Sequence, residues 1–306
     1  MTIINTNVLS LNAQRNLASN STNLATSINR LSTGMRVNSA KDDAAGLAIS
    51  ERMSAQARGM EIARRNANDA VSLAQTAEGA LGSMNGMLQR MRELAVQSTN
   101  ATNSSTDRTA LQNEFNQLQT EITRTANTTR FNGVLILTQT TSFDFQIGAN
   151  ATTNDQISVS ALNVLNSSTS GTTDVGALAR VTNSSSIDIS SVGTRGSMAS
   201  STNFATYSTQ TMGTGALGAV EVLDFALAQV NSARSTFGAV QNRFDAVISN
   251  LNISIENQAA ARSRIVDTDY ARETATLARA QVLQQAGIAM LSQANAAPNQ
   301  VLSLLR

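Results

Sequence analysis

Apolar residues recur at helical spacing at both ends of the chain. Near the N-terminus, after Val8, Leu9 and Leu11, the stripe consists of Leu17, Leu24, Ile28, Leu31 and Met35. Near the C-terminus the apolar set is Leu277, Leu283, Ile288, Leu291, Val301, Leu302, Leu304 and Leu305. A helix presents such a stripe to a partner helix. Neither end has enough apolar residues to bury its own stripe, so the pattern predicts packing against the other end, a neighbouring subunit, or both.

Longer helical patterns lie between the two ends. One is predicted from about residue 44 to 98, after a polar break at 38–43, and another from about 106 to 127. Their apolar residues lie three and four apart, and they are Ala74, Ala77, Leu81, Met84, Leu88, Met91 and Ala95, then Leu111, Phe115, Leu118 and Ile122. Helix is predicted again from about residue 216, and a last helix follows residues 267–269.

The helical pattern after residue 216 contains one irregularity. Its apolar seam consists of Val220, Leu223, Leu227, Val230, Phe237, Val240, Phe244, Val247 and Leu251. The step from Phe237 to Val240 is three residues where four are due, which predicts a locally overwound coil. Gly238 lies at this step, although glycine inside a helix costs about 1 kcal/mol relative to alanine. We therefore hypothesise that another backbone packs closely there.

The helical period is lost between residues 128 and 215. Asn132-Gly133 is a tight-turn signal, and Phe143, Phe145 and Ile147 alternate with polar residues as in a half-buried strand. Residues 157–159 are a second strand candidate. Residues 166–215, rich in Ser, Thr, Gly and Asn, can bury little and are expected to be exposed and loosely ordered.

These elements together predict a mainly α fold of nested, antiparallel long helices. The helices would form a coiled-coil-like terminal pair and a helical rod bundle, with a small β-hairpin region and a short polar variable loop.

The composition argues against most catalytic chemistry. The chain has no Cys and no His, so thiolate or imidazole metal sites and His-dependent catalytic triads are excluded. Residues 213–218 match GxGxxG, but no convincing strand precedes them, so we expect a helix entry there. Asp42 and Asp43 are interpreted as cap or turn residues. We expect no enzymatic activity and no catalytic, cofactor or metal site.

Charge and hydropathy argue against two further partner classes. The net charge is +1 and the longest basic run is the pair Arg64-Arg65, so nucleic-acid binding is not expected. No run approaches 18 apolar residues, so no membrane partner is expected. The N-terminus lacks the basic region and apolar core of a cleavable signal peptide. The chain is therefore expected to stay in the cytoplasm or to leave by a different route.

Several long motifs resemble those of bacterial flagellin. They lie at residues 4–7, 11–14, 31–34, 38–47, 65–69, 88–94 and 131–133, and at 238–244, 261–265 and 293–306. The resemblance covers roughly residues 1–165 and 216–306. It implies a structural subunit that self-assembles into the helical flagellar filament for motility.

The resemblance also implies a division of labour along the chain. Residues 1–42 and 268–306 would form an inner-tube terminal coiled-coil domain, 43–165 and 216–267 a helical rod domain with the β-hairpin, and 166–215 a short variable surface segment. Self-assembly through the termini would use Leu17, Leu24, Ile28, Leu31, Leu277, Leu283, Ile288 and Leu291. Packing of the rod would use Gly238, Arg243 and Phe244.

The partners implied by the resemblance are mainly flagellar. They are copies of this chain in an open helical homopolymer, the flagellar type III export apparatus, a chaperone on the C-terminal helix, and the filament cap and junction proteins. The protein would be secreted into the extracellular filament and would need no cofactor. A host toll-like receptor would contact Arg90, Leu94 and Glu114.

Three alternatives remain open at this point. A hook–filament junction protein shares the terminal plan, although its motif near Asp42-Asp43 usually has flanking prolines that are absent here. A flagellin with an inserted peptidase is a second alternative, and the lack of His excludes its zinc version. A soluble coiled-coil adaptor would form a closed oligomer rather than an open helical polymer.

Overall fold

The computed structural model describes residues 7–160, 162–164, 181, 187–192 and 215–304, with the backbone alone over 297–304. Five α-helices dominate these residues: α1 (Val8–Thr33), α2 (Ala44–Ser98), α3 (Ser105–Thr128), α4 (Gly215–Val266) and α5 (Tyr270–Leu304). The predicted mainly α fold is confirmed. None of the described helices combines the length and the apolar character that a membrane span needs.

Local sequence signals account for the ends of two helices. The Asn7 side chain accepts a hydrogen bond from the Ser10 backbone N–H at 3.1 Å and caps the start of α1. Gly34 ends α1 with φ of 72°, a left-handed conformation that glycine adopts without a Cβ penalty. Ser104 and Asp107 form a reciprocal capping box at the start of α3.

The acidic pair before α2 serves as turn and cap, as predicted. The Asp42 carboxylate accepts hydrogen bonds from the backbone N–H groups of Asn38 and Ser39, at 3.2 and 2.9 Å. Hydrogen bonds from Ser39 hold the pKa of the Asp42 carboxyl below its usual value. The Asp43 carboxylate accepts the Gly46 backbone N–H at 2.8 Å and caps the first turn of α2.

The chain divides into two compact units, and the division falls within α2 and within α4. The terminal unit comprises Met1–Arg58 and Ser254–Arg306, and the rod unit comprises Gly59–Ile253. The functional domains inferred from the sequence have other boundaries and stay a prediction.

The rod unit has a continuous apolar core. On α2 the seven residues predicted to lie on one face, from Ala74 to Ala95, are all buried. Five large buried residues of α4 lie seven apart, at Leu223, Val230, Phe237, Phe244 and Leu251. This heptad continues unbroken past Gly238, and Val240 is only partly buried. The predicted slip at Gly238 is therefore wrong, because the seam passes from Phe237 directly to Phe244.

Helices α2 and α4 run antiparallel within the rod unit. Polar side chains join them at intervals of seven or more residues, and the pairs are Arg64 with Asn252 (3.1 Å), Asn85 with Asn231 (3.3 Å) and Arg92 with Asp224 (2.5 Å). The pairing register of the two helices is therefore the same at all three places, so they stay side by side along this length.

Two small antiparallel sheets follow α3. Strands β1 (Arg130–Phe131) and β2 (Val134–Leu135) pair through a turn in which Asn132 and Gly133 have φ of 49° and 81°. Positive φ at both positions is typical of a two-residue hairpin turn, as the sequence predicted. Strands β3 (Phe143–Gln146) and β4 (Gln156–Val159) form the second sheet. The Phe145 ring meets Phe244 of α4 edge-on, with 5.7 Å between ring centroids.

Residues 187–192, here called the strap, are tied to the rod unit. Ser98 Oγ donates to the Ile189 carbonyl, and Gln112 accepts the Ile189 backbone N–H at 2.6 Å. Val181 and Ile189 are fully buried in the core. The expected exposure of residues 166–215 is thus corrected for these two side chains, and most of that stretch lies outside the described residues.

Candidate functional site

Helices α1 and α5 pack against each other in the terminal unit. Asn7 Nδ2 donates to the Ala294 carbonyl at 2.7 Å, and Asn20 Nδ2 donates to the Ala280 carbonyl at 2.8 Å. Residues early in α1 therefore lie beside residues late in α5, which makes the pair antiparallel. The prediction that the two ends of the chain pack together is confirmed.

The contact between these two helices combines small or polar side chains with leucines that are only partly buried. Ser10 and Ser27 are buried on α1, and Ala280 is buried on α5. A Cβ atom added to Gly287 would lie 3.2 Å from Leu17 Cδ1, so the helices approach closely at that point. The single pair thus lacks the fully buried large apolar residues that normally fill a coiled coil.

Eight other large apolar side chains of the same helices are exposed, by between 52% and 67%. These residues are Val8, Leu9, Leu11, Ile28, Val282, Leu283, Ile288 and Met290. We call this set the terminal apolar surface. Among the described residues of the terminal unit, the buried apolar ones are Val37, Val266 and Ala280. The single chain therefore leaves much of its terminal apolar surface in contact with water.

The eight predicted terminal residues divide into two groups. Ile28, Leu283 and Ile288 are exposed and belong to the terminal apolar surface. Partly buried positions are held by the other five, which are Leu17, Leu24, Leu31, Leu277 and Leu291. The role of these eight residues in self-assembly stays a prediction.

The stripe analysis missed several residues of this region. Val282 and Met290 are exposed on α5 although they lie outside the predicted stripe. Apolar residues of α5 occur on several sides of the helix, which is typical of a helix surrounded by others. The polar contacts of Ser10 and Asn20 were not predicted, because an apolar stripe gives no information about polar side chains.

The three predicted rod-packing residues differ in their surroundings. Phe244 is fully buried against Phe145, whereas Arg243 is exposed. A Cβ atom added to Gly238 would meet no atom of the described residues within 4 Å. No described part of the chain packs closely at Gly238, and the close packing of another backbone there stays a prediction.

The predicted receptor-binding residues lie on α2 and α3. Arg90 forms ion pairs with Glu114 at 2.8 Å and with Glu93 at 3.1 Å; Arg90 and Glu114 are about half-exposed, and Glu93 is more exposed still. Hydrogen bonding to Glu114 and Glu93 raises the pKa of the Arg90 guanidinium. Leu94 is fully buried in the rod core, so it does not present its side chain to solvent in the single chain. A direct receptor contact is open to Arg90 and Glu114, and it stays a prediction.

In the described part of the chain, no group of three or more Asp or Glu residues lies close enough together to hold a metal ion.

Comparison with known proteins gives consistent matches over both halves of the chain. The family model for the bacterial flagellin N-terminal helical region matches residues 4–142, and that for the bacterial flagellin C-terminal helical region matches residues 220–305. The flagellin of Halalkalibacterium halodurans is 41% identical over 305 residues, covering 99% of this chain and 100% of that protein. The flagellin of Bacillus subtilis is 41% identical over 317 residues, covering 99% of each. A crystal structure of Bacillus cereus flagellin is 28% identical, with a TM-score of 0.42, and covers 65% of this chain and 94% of that one.

Proposed function

The chain belongs to the bacterial flagellin family, whose members are structural subunits of the flagellar filament, and we propose that it polymerises by burying its terminal apolar surface against neighbouring copies. It is a structural protein and not an enzyme. Membership of this family implies self-polymerisation and a place in the extracellular filament.

The exposed terminal apolar surface is the observation that carries this proposal. The rod unit has its own apolar core, whereas in the terminal pair of helices the leucines of the seam are only partly buried and eight large apolar side chains lie outside. Full burial of a Leu, Ile, Val or Met side chain contributes roughly 1.5–3 kcal/mol, so a half-exposed one retains roughly 1 kcal/mol for a partner. Eight such side chains favour association strongly enough to offset part of the ordering cost.

We assign the inner tube of the filament to residues 1–42 and 268–306 and the surrounding shell to the helical rod domain of residues 43–165 and 216–267. This assignment is supported by the different apolar layouts of the two parts. A helix with apolar residues on several sides needs neighbours all round, as it would have in a tube. A rod with its own core needs neighbours only along its flanks.

The other proposed partners are the export apparatus, a chaperone, and the cap and junction proteins. We propose export by the flagellar type III apparatus through the N-terminal segment, and protection of α5 by a chaperone before export. Support for the chaperone comes from the exposed Leu283, Ile288 and Met290, because apolar patches of this kind associate non-specifically unless covered. Cap and junction proteins would meet the subunit at the ends of the polymer.

Electron microscopy of polymerisation provides the main test. Purified full-length chain should form long filaments as its concentration rises, and a version lacking residues 1–36 and 270–306 should form none. Filaments from both versions would contradict the role of the ends. Short closed assemblies from the full-length chain would favour the hook–filament junction protein or a soluble adaptor.

A single substitution tests the terminal apolar surface more sharply. Leu283→Gln removes an exposed apolar side chain worth roughly 1 kcal/mol on burial, so the concentration needed for assembly should rise about fivefold. The matched control is Ile62→Gln, which changes an exposed apolar residue of the rod unit. Equal effects of the two substitutions on the assembly threshold would show that the terminal surface has no special role.

Recognition by a host toll-like receptor is proposed for the exposed Arg90–Glu114 pair. Arg90→Ala should reduce receptor activation by monomeric protein, because the guanidinium is accessible and held in place by two carboxylates. Arg124→Ala is the control, since Arg124 forms a comparably exposed ion pair with Glu121 on α3. Undiminished activation by Arg90→Ala would remove this proposal.

A further inference from the structure

We infer that a notch at Gly287, filled by Leu17, and the hydrogen bond between Ser10 and Asn295 together set the register of α1 against α5. This inference rests on the proposed function, because the register decides which exposed apolar residues of the two helices lie side by side. We call these four residues the register key.

The notch is specific to one position along α5. A Cβ atom on residue 287 would already lie 3.2 Å from Leu17 Cδ1, which is tighter than most Cβ contacts. One helical turn away, the seam face of α5 carries Gln284 on one side and Leu291 on the other, and both are partly buried. A slide of one turn would therefore bring Leu17 against a larger side chain in place of glycine, which the close approach at residue 287 disfavours.

The second part of the key is a bond between two side chains. Ser10 Oγ donates to Asn295 Oδ1 at 2.7 Å, and Ser10 is buried. A one-turn slide toward the start of α5 would place Ser10 opposite Leu291, which has no acceptor on its side chain. A buried hydroxyl without a partner costs free energy, so this bond opposes a slide in that direction, while the notch opposes slides in both.

The other polar contacts of the seam do not discriminate registers in this way. Asn7 and Asn20 donate to the backbone carbonyls of Ala294 and Ala280, and every turn of a helix offers another carbonyl on the same face. These amides can hold the two helices together at several registers.

The register matters because each helix contributes to the terminal apolar surface. Leu9 and Leu11 of α1 and Ile288 and Met290 of α5 occupy the same end of the pair. A slide of one turn would displace the apolar residues of α5 by about 5.4 Å along α1, which is close to the width of a side chain. Neighbouring subunits that fit one arrangement would not fit the other.

Disulfide trapping measures the register directly, because the chain has no cysteine of its own. The reporter pairs are Asn20→Cys with Ala280→Cys, in register, and Asn20→Cys with Thr276→Cys or Gln284→Cys, one turn off in each direction. A disulfide requires Cα atoms within about 7 Å, so one turn separates the three pairs well. Each pair is oxidised in the full-length chain under assembly conditions, and the yields are compared.

The expected result is a preference of at least about tenfold for the pair at residue 280. In a chain that also carries Gly287→Leu and Ser10→Ala, both parts of the register key are lost, and the preference should fall to within about twofold. The control chain carries Ala286→Leu and Ser21→Ala, which make similar changes at exposed positions of the same helices and should keep the preference.

Two outcomes overturn the register key. One is equal trapping at residues 276, 280 and 284 in the chain with the key intact, and the other is a preference for 280 that survives loss of the key. Filament formation by the unsubstituted chain is scored separately by electron microscopy. Failure to form filaments would count against the proposed function, whereas altered trapping alone concerns only the register.

Discussion

The substitution Gly238→Ala separates the stability of the free subunit from its packing in a filament. Gly238 lies inside α4, and an added Cβ atom meets no atom of the described residues within 4 Å. Alanine in a helix interior is favoured over glycine by roughly 0.5–1 kcal/mol. The free subunit should therefore become more stable. For a unit of this size, a gain of 1 kcal/mol raises Tm by about 2–4 °C.

Gly59→Ala is the matched control, because it makes the same change inside α2 with a different expected sign. A Cβ atom on Gly59 would lie 2.9 Å from Ala149 Cβ and 3.2 Å from Ala149 Cα, in the turn between β3 and β4. The turn would have to move, and overpacking of this kind costs about 1–3 kcal/mol. That cost outweighs the gain in helix propensity, so Gly59→Ala should lower the stability of the rod unit.

Two measurements on the same preparations complete the test. Thermal unfolding of dilute, unassembled protein gives the change in Tm, and electron microscopy at higher concentration gives the extent of assembly. A lower Tm for Gly238→Ala would refute the argument from open space. Unchanged assembly and filament shape would refute the hypothesis that a neighbouring backbone packs closely at Gly238. A stabilised subunit that assembles poorly would support both.

Three further substitutions test the rod unit. Phe244→Ala should cost about 3–5 kcal/mol in urea unfolding because the ring is fully buried, and a cost below about 1 kcal/mol would contradict that burial. Ser98→Ala should cost about 1–3 kcal/mol and increase hydrogen exchange in the strap, because the buried Ile189 carbonyl loses its donor; unchanged exchange would count against this bond. Hydrogen bonds from Ser104 lower the pKa of the Asp107 carboxyl, so its stabilising effect is present above the unfolded pKa and lost as pH falls through the lowered value. The acid-dependent loss of stability below about pH 4 should therefore be smaller in Asp107→Asn, and identical pH profiles would contradict the capping role.

Local features of the fold could be predicted because local chemistry determines them. The apolar period of α2 and the polar break before it define a helix from Ala44 to Ser98, as observed. Asn132 and Gly133 tolerate positive φ, so the hairpin turn was evident from two residues. Aspartate is a preferred residue at the start of a helix, and Asp43 caps the first turn of α2.

Features that depend on distant contacts could not be predicted in the same way. Ile189 lies in a polar stretch, and its burial depends on Ser98 and Gln112, which are far away in the chain. Leu94 was assigned to a receptor contact only through the resemblance, and the structure buries its side chain in the rod core. Neither a compositional bias nor a motif shows which side of a helix meets the core.

The arrangement of the terminal helices has a physical consequence for assembly. If all the large apolar residues of α1 and α5 were buried against each other, the pair would be stable alone and would retain little free energy for association. Here small and polar residues share the seam with leucines that are only partly buried, and eight large apolar side chains, worth roughly 1 kcal/mol each on burial, remain outside. A seam of this kind aligns the helices but buries little apolar surface. The same helix pair is therefore marginal in isolation and is favoured strongly once copies surround it, which places the ordering of the chain ends at the moment of polymerisation.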